Sequence, residues 1–301
     1  MINCRELSIE DRPWIQEITG YENSRSADFC FSNMFIWDAE YRQHIARMGD
    51  RLIVRLLIHD DPYYAYPVGR GELEPVVLAL LDDAKMHGTK LKISGVNPEH
   101  IALLEKAFPG KFAFEPYEYM FDYVYSVEQL AALPGKKYHA KRNHIARFID
   151  NHPSWRFERV TSENLNDCVE ISETWMTVHD TSTGERDSLS RSFKYFSELG
   201  IEGGILYSDA LPVAFTLGEV LSSDTYVVHV EKALPDIQGA YPMITREFSR
   251  FIIAEHPQII YVNREDDMGI DSLRKSKASF YPEFMVEKYT ATWKDEPLKS
   301  V

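Results

Sequence analysis

Cysteine is scarce in this chain: Cys4, Cys30 and Cys168 are the only three in 301 residues. They are odd in number, far apart and lack a paired ligand spacing, so neither a disulfide framework nor a zinc site is supported and the three read as free thiols. Nowhere do about 18 apolar residues run together, the length a membrane-spanning helix requires. The opening Met1–Leu7 has no basic segment followed by an apolar one, so the expected location is the cytoplasm. Positive charge is also in deficit. With 33 Lys and Arg against 47 Asp and Glu, the net charge is −14. This argues against a surface that tracks nucleic acid throughout, because phosphate neutralisation by cations supplies most of such affinity. Glycine and proline, fifteen of each, are scattered without period, and the absence of low-complexity tracts or short repeats argues against a solenoid.

What is present describes a globular protein large enough for two cores, with one very large domain as the alternative. The 44% hydrophobic and 27% charged content suits two units of about 150 residues each, here placed at residues 1–130 and 131–301. In the first, residues 51–58 alternate as a half-buried strand, with 63–67 as partner. Residues 75–87 form an amphipathic helix with proline in its first turn, 90–95 a strand and 98–108 a helix. The aromatic run 117–125 alternates as one strand. In the second, 157–160 is a strand and 165–179 a helix. Residues 204–207 and 213–221 form a hairpin, and 225–230 a third antiparallel strand. A helix at 241–255, a buried strand at 259–263, a helix at 271–280 capped by Asp271, and a strand at 284–292 complete the order. The fold class is α+β, with mixed, mostly antiparallel sheets.

Three groups of residues carry chemistry. The stretch from Gln129 to Ile149 has no acidic residue but holds Lys136, Lys137, Lys141, Arg142 and Arg147. Lys137, Lys141 and His144 fall at helical spacing apart from Ile145 and Phe148, giving either a solvated helix face or a contact for phosphate or RNA. Further on, a strand ending in His229 and Glu231 feeds Gln238, Gly239, Ala240 and Tyr241 at a helix start. Unpaired N–H groups there could hold a phosphorylated carrier, or Gly239 could serve only as a tight turn. His229 and Glu231, two apart on a strand, share one face; Glu231 is the preferred base and His229 its substitute. Finally, Arg274, Lys277 and Tyr281, at i, i+3 and i+7, put two cations and a phenol on one helix face, or pair with Asp266, Asp267 and Asp271 as a surface network. Asn263 at a strand end either satisfies backbone groups or holds a substrate carbonyl.

The element order, with Val213–Glu219, His229–Ala233, Gly239–Ile244, Asn263–Gly269, Leu273–Lys277 and Phe31–Trp37, resembles the C-terminal catalytic domain of phosphatidylglycerol lysyltransferases. The likeness is greatest to its stand-alone soluble relatives of uncharacterised function, and it covers nearly the whole chain. The resemblance implies a tandem GNAT, or Fem-type, acyltransferase fold with the site in the second half. It also implies transfer of an acyl or aminoacyl group to an amine or hydroxyl from acyl-CoA or aminoacyl-tRNA, with no covalently bound cofactor. Glu231, His229, Tyr281 and Lys277 would then be catalytic, and Gln238, Gly239, Ala240, Tyr241, Asn263 and Arg274 would hold the carrier. The basic helix would meet tRNA. The chain departs from the acetyltransferase phosphate loop, with Asp236 in its first position and Tyr241 in its last, and lacks the membrane-embedded portion of lysyl-lipid synthases. A non-catalytic binding or scaffold protein on the same fold is the alternative.

Overall fold

Proline and asparagine at helix starts, and β-branched runs between glycine turns, place most elements of the first unit. The computed structural model describes residues 2–294, and within these the first unit comprises 2–24, 28–121 and 286–294. It contains β1 (Arg5–Glu6), α1 (Arg12–Gly20), α2 (Phe31–Ile36), α3 (Asp38–Tyr41), β2 (His44–Met48), β3 (Arg51–Ile58), β4 (Asp61–Ala65), α4 (Glu74–Met86), β5 (Lys92–Val96), α5 (Pro98–Ala107) and β6 (Phe112–Pro116). Asn97 caps α5 by accepting from the His100 amide at 2.8 Å, with Pro98 in the first turn where its missing N–H costs nothing. Its sheet is completed by the last strand of the chain, in the order β1-β2-β3-β4-β5-β14-β6. The β4–β5 pair is parallel, while β2–β3, β3–β4 and the contacts of the last strand are antiparallel.

The second unit comprises 25–27 and 122–285. It holds β7 (Asp122–Ser126), α6 (Val127–Ala132), α7 (His139–Asn151), β8 (Trp155–Arg159), α8 (Leu165–Val178), α9 (Thr183–Lys194), α10 (Phe196–Leu199), β9 (Glu202–Ser208), β10 (Leu211–Val220), β11 (Thr225–Ala233), α11 (Ala240–Glu255), β12 (Tyr261–Asn263), α12 (Asp271–Ala278) and β13 (Phe284–Val286), with β14 (Tyr289–Trp293) returning to the first sheet. The order is β13-β7-β12-β11-β10-β9-β8. β11 and β12 are parallel, joined by the crossover through α11. Ala240, Ile244, Phe248 and Ile252 of α11 recur every four residues and are buried. They pack with Tyr226, Val228, Ala214 and Ala233 of the sheet.

The α+β reading with mixed sheets holds. Four details differ. The aromatic run 117–125 is not one strand: β6 has already ended at Pro116, Glu118–Met120 is a helical turn, and only Asp122–Tyr125 is strand, as β7 in the other sheet; two-residue alternation continues through the turn and so conceals it. The division accordingly falls at 121/122, and the stretch 284–292 is likewise two strands, the second belonging to the first unit. Asp271 is the first residue of α12 rather than its cap, which is Ile270. Among the described residues no helix is long and apolar enough to cross a membrane.

Candidate functional site

Parallel pairing of β11 with β12 runs only from Thr225–Tyr261 to Val227–Asn263. β12 stops there, while β11 continues to Ala233. The two strands therefore part at the carboxyl end of the parallel pair, the position where α/β sheets commonly bind ligands. Two side-chain contacts cross the opening: His229 Nδ1 lies 2.8 Å from Glu265 Oε1, and Arg264 Nη2 donates to Glu231 Oε1 at 2.7 Å. Glu265 adopts a left-handed backbone (φ 56°), and its amide donates to Asn263 Oδ1 at 2.7 Å.

A β-bulge determines which side chains enter. Leu217 pairs with Val230 but Gly218 with Val228, leaving His229 as the extra residue. A bulge inverts the alternation beyond it. Tyr226 and Val228 pack with Phe248 of α11, and Glu231, three residues past Val228, reaches the same helix through the Thr245 hydroxyl at 3.0 Å. His229 instead lies fully buried between Glu265 and Glu219, its Nε2 3.2 Å from Glu219 Oε1. The expectation that His229 and Glu231 share a face is thus overturned. Both hydrogen bonds to Glu231 fall on Oε1, which leaves Oε2 without one among the described residues.

Cations gather beside Glu231. The Arg264 guanidinium sits 4.9 Å from the Phe280 ring centre and 5.6 Å from that of Tyr125. Lys141 Nζ lies 3.8 Å over Phe280 and donates to Ser279 Oγ at 2.7 Å. Burial pushes its amine down to about 8; the Arg264 cation acts in the same direction and Glu231 opposes it. Lys277 is buried, and burial holds it down to about 8 as well. Its ammonium donates to the carbonyls of Arg264, at 2.6 Å, and Asp266, pinning the chain just after β12.

Several expected site residues have other work. Arg274 is half exposed and makes a bidentate pair with Asp267, at 2.9 and 3.1 Å, which is the surface-network alternative. Tyr281 does not continue the α12 face: the helix ends at Ala278, Tyr281 is left-handed (φ 55°), and its ring packs edge-on to Tyr138. Asn263 is a buried clasp, its amide donating to the Arg25 carbonyl at 2.7 Å and Asp122 Oδ2 at 2.9 Å. Gly239 is left-handed (φ 85°), and a Cβ there would stand 2.2 Å from the His144 carbonyl oxygen of α7. The glycine admits the close approach of that helix. Of the first amides of α11, Ala240 donates to Ile237 and Met243 to Gly239, and Pro242 has none. Gln238 is exposed, and the Tyr241 hydroxyl accepts from Trp175 Nε1 at 2.9 Å.

On the basic helix Lys136, Lys137 and Arg147 are exposed. Arg142 turns back to the Leu133 and Gly135 carbonyls, and Lys141 turns inward. Sequence reasoning placed Lys141 with the exposed cations, although it stands four and seven residues before Ile145 and Phe148, on their buried stripe. Arg264 and Thr245 received no role. Arg264 directly follows a buried strand and opens an acidic segment, and that juxtaposition was the available signal.

Two seven-stranded mixed sheets, with a bulged strand diverging from its parallel neighbour in the second, define a GNAT-like transferase fold. A tandem GNAT protein of clavulanic acid biosynthesis shares it at TM-score 0.50 and 10% identity, over 99% of this chain and all of that one. The chain belongs to the family described as phosphatidylglycerol lysyltransferase, C-terminal, which matches residues 21–292. A crystal structure of a conserved protein of unknown function from Bacteroides thetaiotaomicron VPI-5482 is 36% identical, with TM-score 0.91 over 98% of this chain and 100% of that one. L-PGS from Bacillus licheniformis is 15% identical, with TM-score 0.70 over 99% and 96%. An uncharacterised protein of Mycoplasmoides gallisepticum is 23% identical over 176 residues, 56% of this chain, and the match spans 54% of that relative's length.

Proposed function

We propose that the second unit transfers an acyl or aminoacyl group from an activated carrier to an amine or hydroxyl acceptor in the opening between β11 and the chain after β12. The observation that carries this reading is the free Oε2 of Glu231, held there by Thr245 and Arg264. The acceptor attacks the carrier's carbonyl carbon, a C–N or C–O bond forms, and the bond from that carbon to the carrier's oxygen or sulfur breaks. Glu231 takes the proton from the acceptor and returns it to the leaving atom. Of the two carriers, aminoacyl-tRNA is favoured. The helix start that would cradle the pyrophosphate of acyl-CoA is covered by α7 and poor in free amides, whereas Lys136, Lys137 and Arg147 remain exposed for RNA.

The test is titration calorimetry with CoA, acetyl-CoA, and charged and uncharged tRNA, followed by discharge of labelled carriers with deproteinised cell extract as the acceptor pool. Charged tRNA is expected to bind and discharge. Glu231→Gln should slow discharge by about 10²-fold while leaving carrier binding within a few-fold. Equal rates in the two proteins would remove Glu231 from the reaction. Saturable CoA binding without tRNA binding would reverse the choice of carrier, and binding without discharge of either would favour a non-catalytic protein.

A further inference from the structure

The charges around Glu231 do not balance. Arg264 satisfies one carboxylate oxygen through Nη2, yet its Nη1 is buried without any hydrogen-bond partner. The side chain is only 11% exposed, so this donor is cut off from bulk water, and an unpaired buried donor is costly. Lys141 adds a second cation on the same Phe280 ring, and its hydrogen bond goes to a neutral hydroxyl. Lys277 adds a third, spent on two carbonyls. Glu231 is the carboxylate hydrogen-bonded to Arg264, while Asp266, Glu265 and Asp122 act electrostatically on Lys277, so the pair least compensated is Arg264 Nη1 and Lys141. Aromatic walls from Tyr125 and Phe280 lower the local polarity, which makes an unbalanced charge more expensive and an incoming counter-charge more favourable.

We propose that Arg264 Nη1 and Lys141 Nζ together bind an oxyanion, the carboxylate or phosphate oxygens of one of the reacting molecules. A planar guanidinium and an ammonium, 4.9 and 3.8 Å from one ring centre, the first already acting electrostatically on the second, suit the oxygens of one group. The anion supplies the missing partner of Nη1 and relieves the repulsion between the cations, and it seats its molecule beside Glu231 Oε2. Which molecule carries the anion depends on the transfer reading; the binding itself does not.

Competitive labelling with trace acetic anhydride, read by mass spectrometry across pH, reports the titration midpoint of Lys141 without any transfer assay. The wild-type protein is compared in chloride, phosphate and acetate at matched ionic strength. Occupancy places an anion against the ammonium and should raise the midpoint by about one pH unit. A rise with phosphate alone assigns a phosphoryl group, with acetate alone a carboxylate, and with both a general oxyanion site. A midpoint the same in all three salts overturns the proposal. In Arg264→Gln the response should vanish, and a response equal to wild type would also overturn it. Should that variant fold poorly, Lys141→Met offers a second check, since calorimetric anion affinity is expected to fall about 10-fold or more with one of two cations gone. An anion-responsive Lys141 in a protein that discharges no carrier would keep this site and remove the transfer reading. An unresponsive Lys141 in an active transferase would do the reverse.

Discussion

A methyl group at position 239 meets the His144 carbonyl oxygen at 2.2 Å and Phe148 Cβ at 3.0 Å, on a backbone already left-handed. The constraint is internal, because the obstacle is the peptide backbone of α7 and cannot swing aside as a side-chain tip could. Gly239→Ala should therefore destabilise the protein by more than about 1 kcal/mol, about 2–4 °C or more in melting midpoint for a unit of this size. Differential scanning fluorimetry without any ligand checks this, and an unchanged midpoint would mean that α7 yields at no cost. A glycine kept for carrier approach would instead lose affinity with its stability intact. His229 is similar in kind: it ties two strands and the following segment through Glu219 and Glu265. Glu231, two residues on, keeps an oxygen free. The polar residues of β11 are told apart by their partners rather than by their types.

Neighbouring cations of one helix behave differently at the scale of elements. In α7 and the turn before it, Lys136 and Arg147 face solvent, whereas Lys137, though exposed, donates to Gln129 at 2.9 Å, and Lys141 and Arg142 are tied to Ser279, Leu133 and Gly135. If RNA meets this helix, Lys136→Glu with Arg147→Glu should flatten the salt dependence of tRNA binding by about one slope unit for each phosphate no longer neutralised, measured by fluorescence anisotropy over a salt series. An unchanged slope would place the RNA elsewhere. Elements of this kind were legible in the sequence where periodicity was clean, as in α4, α11 and the β9–β10 hairpin, because burial of one face imposes the spacing. α9 was not, since Leu189 and Phe193 are its main apolar residues, although Ser182 accepting from the Glu185 amide at 3.1 Å follows the cap spacing. The site was half legible. Glu231 and its strand could be picked out from residue type, but the bulge that turns Glu231 toward α11 arises from an unequal residue count across two paired strands, and Arg264 matters through a partner 33 positions away.

Titration couples these local arrangements to the stability of the whole chain, with a sign that can be fixed in advance. Lys141 and Lys277 are held near 8 in the folded protein by burial, against 10.5 for an ordinary lysine. Between those values the unfolded chain binds more protons than the folded one, so each group makes stability rise with pH across about 8 to 10.5. Buried phenols act the other way. Tyr125, Tyr226 and Tyr64 are pushed above 10, primarily by burial, and above that pH the folded chain retains protons that the unfolded chain has released, so stability falls. Burial raises the carboxyls of Asp83 and Asp267, but several hydrogen bonds and nearby cations together outweigh it and hold them below their ordinary range, so their contribution is lost only as pH falls into the acid range. Comparison of wild type with Lys277→Met cancels the terms that the two proteins share. At pH 7 the wild type bears the cost of burying an ammonium that methionine lacks, and on raising the pH to 10 that cost disappears as the amine loses its proton. The difference in melting midpoint, wild type minus Lys277→Met, is therefore expected to increase from pH 7 to 10, with most of the change above pH 8. A difference independent of pH would mean that the carbonyls of Arg264 and Asp266 stabilise the ammonium fully enough to offset its burial, leaving Lys277 charged throughout as a fixed strut under the site.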